Sequence, residues 1–261
     1  MELIHYKLFY VAAIMLTGLL GGLIPGRTNL DVRSERFFSL SNALGGGVFL
    51  AAGLIHLFPD ATANFTNLLG PELNYPLAAP ICVAGFLLVL FLEKVLFGGH
   101  EEHLASKARG STSAVYPYLL TLVLSVHSII AGIALGVESQ LATSAALFFA
   151  IIAHKGMAAF ALGVSLYRGR IPRSRLITII VLFSLMTPVG IISGAVLDTV
   201  LTGRDGQWFE GIFDALAAGT FLYVAVIDII EGEFATVKDK WLKFSLVFLG
   251  VTVMAVVALW T

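Results

Sequence analysis

YPYLLTLVLSVHSIIAGIALGVESQLATSAALFFAIIAHKGMAAFALGVSLYR, residues 116–168, decides the fold. It contains two apolar runs, Tyr116–Val137 and Leu141–Tyr167, separated only by Glu138–Gln140. Each run supplies the about 20 mostly apolar residues that carry a helix across a hydrocarbon core of about 30 Å. So short a connection makes the two helices antiparallel neighbours. Neither run alternates with period two, so barrel strands do not fit, and helices are the remaining way to satisfy backbone polar groups in lipid.

Each run carries a histidine near its middle. His127 lies ten residues, about 15 Å, before the end of the first, and His154 lies thirteen residues, about 20 Å, into the second. The imidazoles therefore share a depth near mid-membrane on adjacent helices. Ionisable groups at that depth are costly and mark function by default, and imidazole suits zinc, iron, copper and nickel. From position alone two readings stay open: a shared metal ion, or a structural hydrogen bond between helices.

Working outward, eight runs approach spanning length: about Leu8–Ile24, Leu40–Phe58, Leu77–Phe97, Tyr116–Val137, Leu141–Tyr167, Leu176–Leu201, Gly211–Ile230 and Trp241–Trp260. Of the 261 residues 58% are apolar and 13% charged, against about 25% charged in soluble domains, which excludes an ordinary cytosolic enzyme. With 16 Lys and Arg against 17 Asp and Glu, the net charge is −1, and no basic surplus points to nucleic acid. Cys82 is the single cysteine, so no intramolecular disulfide forms. The first run is expected to be a retained helix, because Met1–Lys7 carries one acid and one base and no small-x-small cleavage pattern follows.

Orientation follows from the bases. Arg27, Arg33 and Arg36 join runs one and two; Lys94, Lys107 and Arg109 join three and four; Arg168, Arg170, Arg173 and Arg175 join five and six; Lys238, Lys240 and Lys243 join seven and eight. Lys7 and Arg204 lie on the other side, and Lys155 lies inside a run. By the positive-inside rule the odd connections are cytoplasmic and both termini outside. A single transmembrane domain over residues 1–261 is expected, with 98–113 a short cytoplasmic loop whose His100 and His103 can hold metal loosely, although two histidines are a weak signal and fit a solvated loop better. Small residues four apart, at Gly18 and Gly22, Gly132 and Gly136, Gly190 and Gly194, and Ala215 and Gly219, predict close helix contacts.

Further polar groups flank the histidine pair. His56 and Asp60 are four apart near the outer end of the second run, and Asp228 and Glu231 are three apart near the inner end of the seventh, a vestibule at each mouth. Met157 follows His154 by three residues and is expected on its face. Met186 and Thr187 precede Pro188 about 16 Å into the sixth run, where proline frees a backbone carbonyl. A thioether and a hydroxyl can then join the ligand set, although methionines there also serve simply as packing.

These stretches resemble the ZIP (Zrt/Irt-like) divalent-metal transporters. His-Ser-Ile-Ile-Ala-Gly-Ile-Ala-Leu-Gly from His127 looks like that family's fourth-helix motif, and His-Lys-Gly-Met-Ala-Ala-Phe-Ala-Leu from His154 like the fifth-helix motif of the branch carrying His-Lys. Gly45–Ala51, His56-Leu-Phe-Pro-Asp60, Met186-Thr-Pro-Val-Gly190 and Gly219-Thr-Phe-Leu-Tyr-Val match further stretches in the same order. The resemblance implies an all-α bundle of eight helices with both ends outside, and His127 and His154 as ligands of a central transport site, with Ser128 beside them. In many relatives the site is binuclear. Lys155 takes the place of a fifth-helix carboxylate and Thr187 that of a sixth-helix carboxylate, so Lys155 is expected to block a second ion. The family usually carries Glu where this chain has Ala131, and Ala158 also lacks a carboxylate some relatives have. Two imidazoles and an ammonium without an anion disfavour a dication in a low-dielectric pocket, and metal affinity weaker than in relatives with the Glu is expected.

The leading expectation is a plasma-membrane transporter, not an enzyme, moving a divalent metal such as zinc toward the cytosol. The cargo and surrounding lipid are its partners, with no resident cofactor and, as the resemblance implies, a homodimer. Two alternatives stand beside it: a transport-deficient sensor or subunit, suggested by Ala131, and an intramembrane metal-dependent hydrolase, which needs a third ligand and a base at the same depth.

Overall fold

A computed structural model describes residues 2–27, 32–70, 75–96, 116–138, 141–197 and 204–259. They form eight long helices: α1 (Glu2–Leu23), α2 (32–69), α3 (78–96), α4 (Tyr116–Val137), α5 (Leu141–Arg168), α6 (Arg173–Leu197), α7 (204–234) and α8 (Lys240–Val257). All eight are long and apolar enough to cross a membrane, and no strand occurs among the described residues. The loop expected at 98–113, with His100 and His103, lies outside the described residues, as do the helix ends expected at Phe97, Leu201 and Trp260.

Two helices outrun their expected bounds. Instead of ending near Phe58, α2 continues to Leu69 through a π-helical stretch, Ala52–Leu57. The wider turn lies just ahead of Pro59, which lacks the N–H of the next helical bond, so the chain passes the proline without ending. It stops at Gly70, whose φ of 75° favours a residue without Cβ. Similarly, α7 begins seven residues before the expected Gly211 and carries a π-helical stretch, Val224–Ile230, before ending at Phe234. His56 and Asp60 therefore sit within α2, thirteen and nine residues from its end, rather than at a helix terminus.

The predicted glycine pairs organise the bundle. A Cβ on Gly132 or Gly136 of α4 would strike the backbone of α6 at Thr187 or Ile191, and one on Gly190 or Gly194 would strike α4 at Ile129 or Ile133. Only hydrogen at Cα lets these backbones touch. Close backbone approaches likewise tie α1 to α5 at Gly21 and Gly163, α2 to α8 at Gly47 and Gly250, and α3 to α7 at Gly85 and Gly219. Two groups result: α1, α4, α5 and α6 in one, and α2, α3, α7 and α8 in the other. Where the groups meet, side chains intervene, such as Met157 of α5 facing Gly45 of α2. The most buried span is α5, whereas α3 and α8 expose Leu87, Leu88, Trp241 and Phe248 on outward faces suited to lipid.

Candidate metal centre

The two histidines come together between α4 and α5. His127 and His154 are both buried, their ring centroids 5.6 Å apart and their planes inclined at 54°. A zinc ion bonded at about 2.0–2.1 Å to one nitrogen of each ring lies about 3.2 Å from each centroid, and tetrahedral geometry then sets the centroids about 5.2 Å apart. The observed spacing is close to that of two imidazoles on one ion. Beside the rings is a cavity of about 10 Å3, room for a single water-sized particle. Its lining comes wholly from α4, α5 and α6, so one helix group carries the entire site.

Four polar atoms around this cavity have nothing to bond. Both ring nitrogens of His127, Nδ1 of His154 and Oγ1 of Thr187 are buried without a hydrogen-bond partner. Such groups are rare because each loses its hydration on burial. The alternative of a hydrogen bond between the histidines is thereby set aside, since neither His127 nitrogen makes one. Phe221 of α7 closes the pair from the other helix group, 4.3 Å from His127 and 6.2 Å from His154 between ring centroids, and Phe49 of α2 backs it at 5.0 Å.

Lys155 is tied off beside the site. Its stem passes Gly18 of α1, and its Nζ donates to Ser128 Oγ at 2.9 Å and to the Phe183 carbonyl at 3.2 Å, and sits 3.7 Å from the centre of the Phe183 ring. The long stem lets the ammonium find these partners rather than face the rings directly. Ser128, expected as a ligand, lines the cavity, and its oxygen accepts from Lys155. Met157 is likewise displaced from the expected set: it does not line the cavity, and its Cε points to Gly45. Three residues along a helix leave an angular offset of about 60°, enough to turn the thioether from the cavity to the group boundary. Ala131 and Ala158 both line the cavity, so the two positions without carboxylates face the site.

At the end of the bundle away from the basic-rich connections, His56 Nδ1 lies 3.0 Å from Asp60 Oδ2. Glu210 and Asp214 of α7 stand within electrostatic reach of Asp60, and Glu138 within reach of Glu210. Sequence reading missed Glu210 and Asp214; they are four apart on α7, but starting that helix at Gly211 hid their shared face. At the other end Asp228 falls in the π-helical stretch and Glu231 is exposed. The buried acid there is Glu233, also missed, because the wide π turn changes the phase that α-helical counting assumes. Among the described residues no three His, Cys, Asp or Glu are grouped to hold a metal.

The family model described as ZIP Zinc transporter matches residues 4–114 and 98–258. The chain belongs to the ZIP family. Zinc transporter ZIP1 of Takifugu rubripes is 28% identical over 298 residues, covering 97% of each chain. Zinc transporter ZIP3 of Homo sapiens is 28% identical over 306 residues with the same coverage. Zinc transporter ZIP1 of Homo sapiens is 31% identical over 248 residues, 83% of this chain and 76% of its own. As a ZIP protein with eight spanning helices, the chain is an integral multi-pass membrane protein. ZIP proteins are transporters, which sets aside the intramembrane hydrolase.

Proposed function

We propose that this ZIP protein carries a divalent cation, zinc foremost, across the plasma membrane toward the cytosol, binding one ion at a time between His127 and His154. The observation that carries the reading is the group of unpartnered buried atoms, His127 Nδ1 and Nε2, His154 Nδ1 and Thr187 Oγ1, around one small cavity. Two imidazoles and a hydroxyl make an open, incomplete shell, which suits an ion that must leave again better than a closed four-ligand site. Lys155 fills the space of a second ion with its own charge and is already bound to Ser128 and Phe183.

The acids at the outer end, Asp60, Glu210, Asp214 and Glu138, raise the local concentration of cations by their field, and His56 lies beside them. Asp228 and Glu231 attract the ion at the opposite end. Because α4, α5 and α6 carry the site and Phe49 and Phe221 belong to the other group, access alternates as one group shifts past the other. The test is zinc uptake into liposomes containing the purified protein. Wild type is expected to load the liposomes, and His127→Ala with His154→Ala to fall to the leak of empty ones. Undiminished uptake by that double variant overturns the assignment.

The second reading, a non-conducting sensor or subunit, rests on Ala131 and Ala158, which leave the cavity lining without a carboxylate. Zinc that binds wild type but never enters the liposomes supports it over transport.

A further inference from the structure

Glu233 has no place in the cation route, yet it gathers more of the chain than any site residue described above. Its side chain is 8% exposed and accepts from Ser39, from Asn42 Nδ2 at 3.1 Å and from Arg168 Nη1 at 3.1 Å, with Lys243 Nζ at 3.7 Å. Ser39 and Asn42 are on α2, Lys243 on α8 and Glu233 on α7, all in one helix group. Arg168, the last residue of α5, comes from the group that carries the histidines. Its second arm, Nη2, reaches Glu35 of α2 at 3.2 Å.

We propose that Arg168, Glu233 and Glu35 form an ionic lock that holds the two helix groups together at the basic-rich end, and that the lock opens each time the site faces that side. The proposal rests on the transport reading for its role in the cycle, but its geometry stands apart from the histidines.

The network divides into a permanent part and a separable part. Lys243 is 3% exposed and also donates to the Glu233 carbonyl and Thr236 Oγ1, so parting it from Glu233 would strand a buried charge. The Arg168 side chain is 33% exposed, and water can replace the bonds it gives up. When Arg168 leaves, Glu233 keeps Lys243, Asn42 and Ser39, so the open arrangement leaves no naked carboxylate. The guanidinium fork supplies two parallel donors, one to each carboxylate, which a single ammonium cannot reproduce. Beside the lock the groups meet through rings: Phe37 and Phe38 of α2 against Phe160 and Tyr167 of α5, with centroids 5.9–6.2 Å apart. Ring faces permit sliding, and the ion pairs set where sliding stops.

The experiment uses the full chain in oriented vesicles, with Cys82→Ser removing the native thiol and Ser165→Cys as reporter. Ser165 lies one turn before Arg168 with its hydroxyl buried. A membrane-impermeant thiol reagent is applied, without metal, from the basic-rich side. Arg168→Gln is expected to speed labelling about fivefold or more, and to raise KM for zinc offered from the opposite side by a similar factor, because fewer molecules wait with the site facing it. Lys243→Met, which cuts a tie within one group, is expected to lower Tm without faster labelling. Hydrogen exchange over residues 159–168 of the native-cysteine protein, with and without Arg168→Gln, gives a readout free of the reporter and is expected to rise there. Equal labelling and equal exchange in wild type and Arg168→Gln overturn the lock, as does an equal acceleration in Lys243→Met, which would signify general loosening. Faster labelling in a protein that moves no zinc supports the lock and counts against the transport reading alone.

Discussion

Two buried polar regions of this ZIP protein follow opposite rules. Around the cavity enclosed by α4, α5 and α6, four atoms on His127, His154 and Thr187 have no partner, and Lys155 is bound off to one side. Around Glu233, the carboxylate meets Ser39, Asn42, Arg168 and Lys243. A buried network whose members satisfy one another holds a chain together, whereas buried groups left unsatisfied cost stability; of the Glu233 set only Asn42 Oδ1 lacks a partner. The contrast sets residues with unused bonding capacity apart from residues that hold the chain together, without appeal to charge, since both regions are rich in ionisable groups.

The comparison breaks most readily at the histidines. His127→Ala with His154→Ala should cut zinc uptake about a hundredfold while lowering Tm in detergent only by what the vacated ring volume costs, because neither His127 nitrogen has a protein hydrogen bond to lose. A collapse in Tm alongside uptake would show that the rings hold the bundle. The reverse is expected of Glu233→Leu: about 3–5 kcal/mol of stability lost through stranding Lys243, read as denaturation in detergent. Unchanged stability would remove Glu233 from the holding class.

Smaller effects sharpen the picture. Ala131→Glu places a carboxylate on the cavity lining and should tighten zinc binding about tenfold, about 1.4 kcal/mol, by titration calorimetry; weaker binding would show that the cavity rejects an anion. Thr187→Val removes one orphaned hydroxyl at nearly constant shape, and uptake is expected to fall two- to fivefold with Tm unchanged, about 0.4–1 kcal/mol of lost ion binding. Uptake equal to wild type would take Thr187 out of the ion's shell.

Much of this was legible in the sequence. Lipid demands long apolar helices and penalises buried charge, so the eight spans and the matching depths of His127 and His154 follow from counting residues. The glycine pairs at 132, 136, 190 and 194 announced a close helix contact, and the structure supplies the partner, each pair facing the other. Counting failed where helix phase changed. The π-helical stretches at Ala52–Leu57 and Val224–Ile230 carry α2 and α7 past their expected bounds, and they leave Glu231 exposed while Glu233 is buried. Met157 failed for a related reason, since three residues are near one helical turn but not a full one. Counting residues also gave no sign that Ser128, which lines the cavity, has Lys155 as a donor to its oxygen.

The sequence by itself determined how many helices are long and apolar enough to cross, which helices are adjacent in the α4–α5 hairpin, and that the two imidazoles sit level with each other, because rise per residue and hydrocarbon thickness act locally along each helix. Only the tertiary structure decided which way each side chain turns, that three helices of one group enclose the cavity, and that Arg168 reaches across to Glu233. Those outcomes depend on the angles at which separate helices pack and on which donor finds which acceptor, and residues far apart in sequence set both together.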